Sequence, residues 1–113
     1  VDDDLHNLQL TSKIVHAAGY PVIMAQDGLS ALEICTSVTP SAILLDIMMP
    51  EMNGLEICKR MKEDPVLADI PIIFLSAAGE EEMIEQGIQY GGTDFVSKPV
   101  RERTLLTRIK VHM

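Results

Sequence analysis

The run Ala42-Ile43-Leu44-Leu45-Asp46 has no polar alternation and ends in a carboxylate, and Ile70 to Leu75 repeats the uniformly apolar pattern after Pro65. A strand with water on one face alternates apolar and polar residues. A strand that does not alternate must be covered on both faces, as in a parallel sheet between helical layers. Stretches of helical periodicity separate these runs, so the strands need crossover connections, and right-handed crossovers give a doubly wound α/β fold. The punctuation predicts a helix from Leu5 to Ala18 closed by Gly19, a strand from Pro21 to Gln26, a turn at Asp27-Gly28 and a helix near Leu29 to Ser37. It continues with a strand over Ala42 to Asp46, a helix over Leu55 to Glu63, a strand over Ile70 to Leu75 and a helix from about Glu80 to Tyr90. Gly91-Gly92 then breaks the chain before a strand over Thr93 to Ser97 and a final helix from about Val100 to the end.

At 113 residues the chain has room for one domain, spanning 1–113, and shows no linkers, repeats or low-complexity segments. Only Val1 precedes the acidic cluster, where an average strand has about five or six residues. The domain is therefore expected to begin inside its first strand, N-terminally incomplete, with any output domain out of view.

Charge excludes several function classes. Nine Lys plus Arg against seventeen Asp plus Glu leave a net charge of −8, which repels nucleic-acid backbones and anionic lipid. No apolar run approaches the roughly 20 residues of a bilayer span, and the opening Val1-Asp2-Asp3-Asp4 is unlike a signal peptide. Cys35 and Cys58 lack Cys-x-x-Cys spacing, so a reducing, cytoplasmic setting is expected.

Ligands of open parallel sheets collect outside the carboxyl ends of the strands. At those ends this chain places Asp2 and Asp3, then Asp46, then Ser76, then Lys98-Pro99. Crowded carboxylates repel one another unless a hard cation neutralises them, and Mg²⁺ takes a few carboxylates together with water and a phosphate oxygen. A carboxylate so screened can act as a nucleophile toward phosphorus. A hydroxyl and an ammonium are then wanted for the transferred oxygens, and Ser76 and Lys98 supply them. Each residue also has a plainer role: Asp46 as a turn carboxylate, Asp2 to Asp4 as a helix N-terminal cluster, Ser76 as a helix cap, Lys98 as a solvated turn residue, Phe95 as core.

The strings Val1-Asp2-Asp3-Asp4, Leu44 to Gly54 (Leu-Leu-Asp-Ile-Met-Met-Pro-Glu-Met-Asn-Gly), Phe74-Leu75-Ser76-Ala77 and Asp94-Phe95-Val96-Ser97-Lys98-Pro99 resemble the receiver domain of two-component response regulators, of the CheY-like superfamily. The likeness covers essentially the whole chain in the right order. It implies a flavodoxin-like five-stranded parallel sheet of order 2-1-3-4-5 with five helices, three on one face and two on the other. It implies that Asp46 is the phosphoacceptor, fed by a histidine kinase or histidine phosphotransfer protein. Asp3, Asp46 and the backbone carbonyl of Met48 would ligate Mg²⁺, with Asp2 helping through water. Ser76 would move to bond the phosphoryl group, Lys98 would pair with it, and Phe95 would turn inward. The peptide before Pro99 is expected to be cis. The acidic run is three residues long, so Asp3 and Asp4 are an alternative metal pair; Asp2 and Asp3 are preferred because they directly follow Val1. Phe95 lacks the hydroxyl of the common tyrosine variant, so its switching would rest on packing.

The leading function is therefore a phosphorylation-controlled signalling module that catalyses only its own phosphorylation and dephosphorylation. It would switch the surface of the fourth helix, fifth strand and fifth helix toward an output domain or partner. A homodimer, with the basic last helix meeting the glutamates of the fourth, stays open. An aspartate-nucleophile phosphatase would want a second Asp where Met48 stands. A phosphorylation-independent interaction module would be expected to have lost one of the acidic or Lys positions, and flavin binding lacks its phosphate loop.

Overall fold

The structure, a computed structural model, describes residues 1–49, 53–77 and 79–112. Its elements run α1 (Leu5–Ala17), α2 (Gly28–Ser37), β1 (Ile43–Asp46), α3 (Gly54–Glu63), β2 (Ile72–Ser76), α4 (Glu81–Gln89), β3 (Asp94–Ser97) and α5 (Glu102–His112). The strands form a parallel sheet of order β1-β2-β3, with Leu45 opposite Phe74 and Phe74 opposite Phe95. Local chemistry starts three of the helices. The side chains of Asp4, Asp27 and Asn53 accept from the N–H groups of Asn7, Ser30 and Glu56, satisfying donors that have no partner within the first turn. Gly19, at φ +95°, takes the left-handed conformation that ends α1.

Every residue of β2 is buried, which is what its lack of alternation demands. Its side chains divide between two cores. Ile72 and Phe74 pack with α2, α3 and α4, through residues such as Ala31, Ile57, Met61 and Ile84. Ile73 and Leu75 pack with α1 and α5 through Val15, Leu105 and Ile109. Helices thus cover both faces. Among the described residues no helix is long and apolar enough to cross a membrane.

The sheet departs from expectation on one side: among the described residues there are three strands where five were expected. The expected third, fourth and fifth strands are β1, β2 and β3, while Val1 and residues 21–26 are not in strands. The backbone explains why. Val1 bonds both ways to β1, its amino group donating to the Leu44 carbonyl and its carbonyl accepting from Asp46 N–H at 2.9 Å. On the other side Asp2 N–H donates to the Ala25 carbonyl at 3.2 Å. A ladder needs bonds repeated along both partners. Among the described residues these bonds bridge β1 and residues 21–26 at one end only, and an apolar cleft of about 390 Å³ lies there, lined by Val15, Val22, Ile34 and Leu44.

Candidate functional site

All three strands end at one edge. Asp46 closes β1 opposite Leu75, Ser76 closes β2 opposite Ser97, and Lys98 follows at once. Lys98 N–H donates to the Ser76 carbonyl at 2.7 Å, and the Lys98–Pro99 peptide is cis. The Val1 and Asp2 backbone bonds bring the acidic cluster to the same edge. Carboxylate oxygens of Asp2, Asp3 and Asp46 lie within 4.8 Å of one another, with Asp2 and Asp46 buried and Asp3 exposed. The Lys98 ammonium sits 3.0 Å from Asp46 Oδ1 and 3.6 Å from Asp2 Oδ2. The floor is set by α3: Gly54 N–H donates to the Ile47 carbonyl at 2.7 Å, and a Cβ at Gly54 would overlap the Asp46 carbonyl oxygen. A side chain at position 54 would displace the Asp46 backbone.

Burial and crowding control ionisation here. Burial pushes the Asp46 carboxyl up to about 6; Lys98 pulls it back down, and the neighbouring Asp2 charge adds to the rise. Burial also works against the charge on Lys98, but Asp46, Asp2 and Glu80 outweigh it and hold the ammonium above the ordinary lysine value. Asp2 Oδ1 accepts from Asp4 N–H at 3.0 Å, whereas the buried Oδ2 accepts no hydrogen bond. Leaving a buried carboxylate oxygen without a hydrogen bond is costly. A hard divalent cation bound through oxygen ligands suits this donor set, so the residues fit Mg²⁺.

The structure divides the acidic run by task. Asp4 is the N-cap of α1, and Asp2 and Asp3 face Asp46. Ser76 is not a helix cap, because α4 starts at Glu81; it is the buried last residue of β2. Lys98 is no solvated turn residue, its side chain being 24% exposed and paired with two carboxylates. Met48 is 55% exposed beside Asp46, and Met49 is buried. Phe95 stands in β3 at 40% exposure. Pro50, Glu51 and Met52 of the motif lie outside the described residues.

Sequence reasoning missed two features. Glu80, expected only as the approximate start of a helix, turns its carboxylate back to accept from Ala77 N–H. The signal was a Glu three residues after a strand-end dipeptide, the spacing of a capping box. At the far end of β3, Asp94 Oδ2 receives Arg108 at 3.1 Å and His112 at 2.9 Å, joining β3 to α5. Nothing in the chain's local pattern announces that contact.

A family model described as "Response regulator receiver domain" matches residues 1–110. The chain belongs to the response regulator receiver domain family. This receiver domain is 36% identical to the polar-differentiation response regulator DivK of Brucella anthropi, with 100% of the chain matching 92% of that protein. It is also 36% identical to the phosphate regulon transcriptional regulatory protein PhoB of Pseudomonas aeruginosa, where 97% of the chain spans 48% of the relative's length. Response regulator PleD of Caulobacter vibrioides matches at 36% identity, the chain spanning 24% of its length. Among solved structures, a putative response regulator from Chloroflexus aurantiacus superposes with a TM-score of 0.94 at 30% identity, covering 99% of this chain and 92% of that one. The chemotaxis protein CheY4 of Vibrio cholerae gives 0.94 at 29% identity, covering 99% and 93%. The receiver fold, with its parallel sheet and five helices, is thus shared with CheY-like proteins.

Proposed function

We propose that the domain accepts a phosphoryl group on Asp46 from a histidine kinase or histidine phosphotransfer protein, and passes the change to an output domain or partner. One observation carries this reading: Asp46, buried at a strand end, shares a 4.8 Å cluster with Asp2 and Asp3 while Lys98 stands 3.0 Å away. In the transfer an Asp46 carboxylate oxygen forms a bond to phosphorus as the donor's P–N bond breaks, and the released histidine nitrogen takes its proton from water. Asp3, Asp46 and the Met48 carbonyl would hold Mg²⁺, with Asp2 helping through water. When bound, the ion supplies positive charge that screens the carboxylates from the incoming phosphoryl oxygens. Lys98 releases Asp46 and pairs with the new oxygens as a point charge, and Ser76 donates its hydroxyl to them. The domain catalyses only its own phosphorylation and dephosphorylation; with Met48 where a general acid would stand, it does not turn over phosphate esters.

A phosphoryl group brings about −1.5 to −2 of charge, captured by Ser76 and Lys98 in one loop geometry. Moving Ser76 makes room that Phe95, now 40% exposed, fills, and the surface of α4, β3 and α5 changes. The same reading assigns Val1 the central position of the order 2-1-3-4-5 and residues 21–26 the position beside it, alongside rather than paired into the β1-β2-β3 ladder. Support comes from the Val1 bonds to Leu44 and Asp46 and the Asp2 bond to Ala25.

The test is intact mass after incubation with Mg²⁺ and acetyl phosphate, for the wild-type chain and Asp46→Asn. One phosphoryl adduct that requires Mg²⁺ and disappears in the variant is expected. A folded wild-type sample without an adduct would transfer the role to a phosphorylation-independent interaction module.

A further inference from the structure

The segment leaving β2 holds a contact that the proposed transfer does not use. Glu80 occupies the N-cap position of α4, yet its side chain makes no bond to that helix. Its carboxylate reaches back to the backbone N–H of Ala77, the residue after Ser76. The arrangement resembles the reach-back arm of a capping box, but α4 begins only at Glu81, so at Ala77 there is no helix start to satisfy. The same carboxylate also contributes to the negative field on Lys98, whose ammonium lies 3.0 Å from Asp46. Glu80 therefore holds the backbone next to Ser76, the residue whose hydroxyl the proposed transfer needs to move.

We propose that Glu80 is a resident restraint opposed to the phosphoryl group, holding the Ala77 amide beside Ser76 in the resting chain and surrendering it when Asp46 is phosphorylated. The proposal rests on Asp46 being the acceptor. A phosphoryl group adds about −1.5 to −2 of charge to an edge that already carries Asp2 and Asp3. The added negative charge repels the carboxylates around it, and the one that moves most cheaply leaves. Asp2 is buried and tied to the Asp4 amide, whereas Glu80 is half-buried on a flexible stem next to the exposed Ala77. Glu80 is the group that yields. Displacing it subtracts from the stability of the phosphorylated state, so Glu80 sets how much phosphodonor the domain needs. It is a positioning residue, acting through Ala77.

Two substitutions separate its charge from its hydrogen bond. Glu80→Gln keeps an acceptor for Ala77 N–H without the charge, and Glu80→Ala removes both. The adduct fraction is measured by intact mass at limiting acetyl phosphate with Mg²⁺, and the Ala77 amide is followed by ¹⁵N-resolved NMR in the resting and phosphorylated chains. Both variants should carry about three- to tenfold more adduct than wild type at the same donor concentration, the scale of one charge-assisted hydrogen bond weakened by solvent. The Ala77 resonance of resting wild type should differ from that of Glu80→Ala and move toward it on phosphorylation. A wild-type adduct with no gain in either variant, or an Ala77 resonance indifferent to Glu80→Ala, overturns the proposal alone. Absence of any wild-type adduct overturns the Asp46 reading, and this proposal with it.

Discussion

Residues 72–76 and residues 21–26 are both short and largely apolar, yet one is the buried centre of the sheet and the other is no strand at all. In β2, Phe74 is wholly buried between Leu45 of β1 and Phe95 of β3. In the other segment Ile23 is 59% exposed and Met24 49%, and the Ala25 carbonyl accepts from Asp2 N–H. Composition does not separate them; neighbours do. A strand exists only where adjacent chains answer its N–H and C=O groups in series, and β2 has two such neighbours. The functional edge straddles the two regimes, since Asp46, Ser76 and Lys98 come from the well-paired side and Asp2 from the sparsely paired one.

The contrast breaks most visibly at Phe74. Its ring fills the space against Gly87 and Gly92, where a Cβ on either glycine would overlap it. Phe74→Ala should cost about 3–5 kcal/mol, read as the midpoint of urea unfolding. A loss under about 1 kcal/mol would mean that the centre of the sheet is as loosely built as its flank.

Asp46 tests the seam between the two sides. Its folded-state pKa, about 6, lies above the ordinary carboxylate value, so the fold binds this proton more tightly than the unfolded chain does. Ionising it therefore costs stability: nothing below about pH 4, increasingly between pH 4 and 6, and fully above pH 6. Without divalent cation, Asp46→Asn should be more stable than wild type by about 1–2 kcal/mol at pH 7.5, after allowance for solvent screening, and equal to it near pH 4. Thermal melts across this range decide the matter; a variant less stable at pH 7.5 would show that Lys98 more than offsets the burial.

Smaller again is the tie between β3 and α5. Burial opposes the Asp94 charge, but His112, the Phe95 N–H and Arg108 outweigh it and hold the carboxyl below its ordinary value. A lowered carboxyl contributes stability that is present above the ordinary value and lost as pH falls through the folded one. Asp94→Asn should cost about 0.5–1 kcal/mol at pH 7 and nothing in strong acid, with faster amide exchange confined to the last turn of α5. Identical exchange in both proteins would remove the tie from the account.

The smallest effect belongs to the flank. Ile23→Ser should change stability by less than about 0.5 kcal/mol, because its side chain already meets water. Hydrogen exchange should find amides 22–24 unprotected while those of 73–75 exchange only on global unfolding. Protection at 22–24 would restore the expected strand.

Much of the fold was readable because its signals are local. Uniformly apolar runs marked β1 and β2, and Gly19 and Asp27-Gly28 marked helix ends within a residue or two. Residues 21–26 misled for the same reason, since their pattern reports what a strand would need and not whether a partner is beside it. The site residues were readable as types at strand ends. Their division of labour was not: whether Asp4 or Asp2 caps α1 depends on the angle at which the chain leaves Val1, and that angle is set by bonds to Leu44 and Asp46, more than forty residues away.

The amino-acid order alone determined the alternation of helix and strand, the caps that start the helices, and which carboxylates, hydroxyl and ammonium reach the strand ends. Tertiary structure alone decided that Asp2 is buried with an oxygen accepting no hydrogen bond, that Asp46 is raised and paired with Lys98, that Glu80 turns back on Ala77, and that residues 21–26 are not a strand. The physical reason is range. Periodicity and capping act within a turn or two of the chain, whereas burial, ladder pairing and the field at a carboxylate are sums over neighbours that only folding brings together.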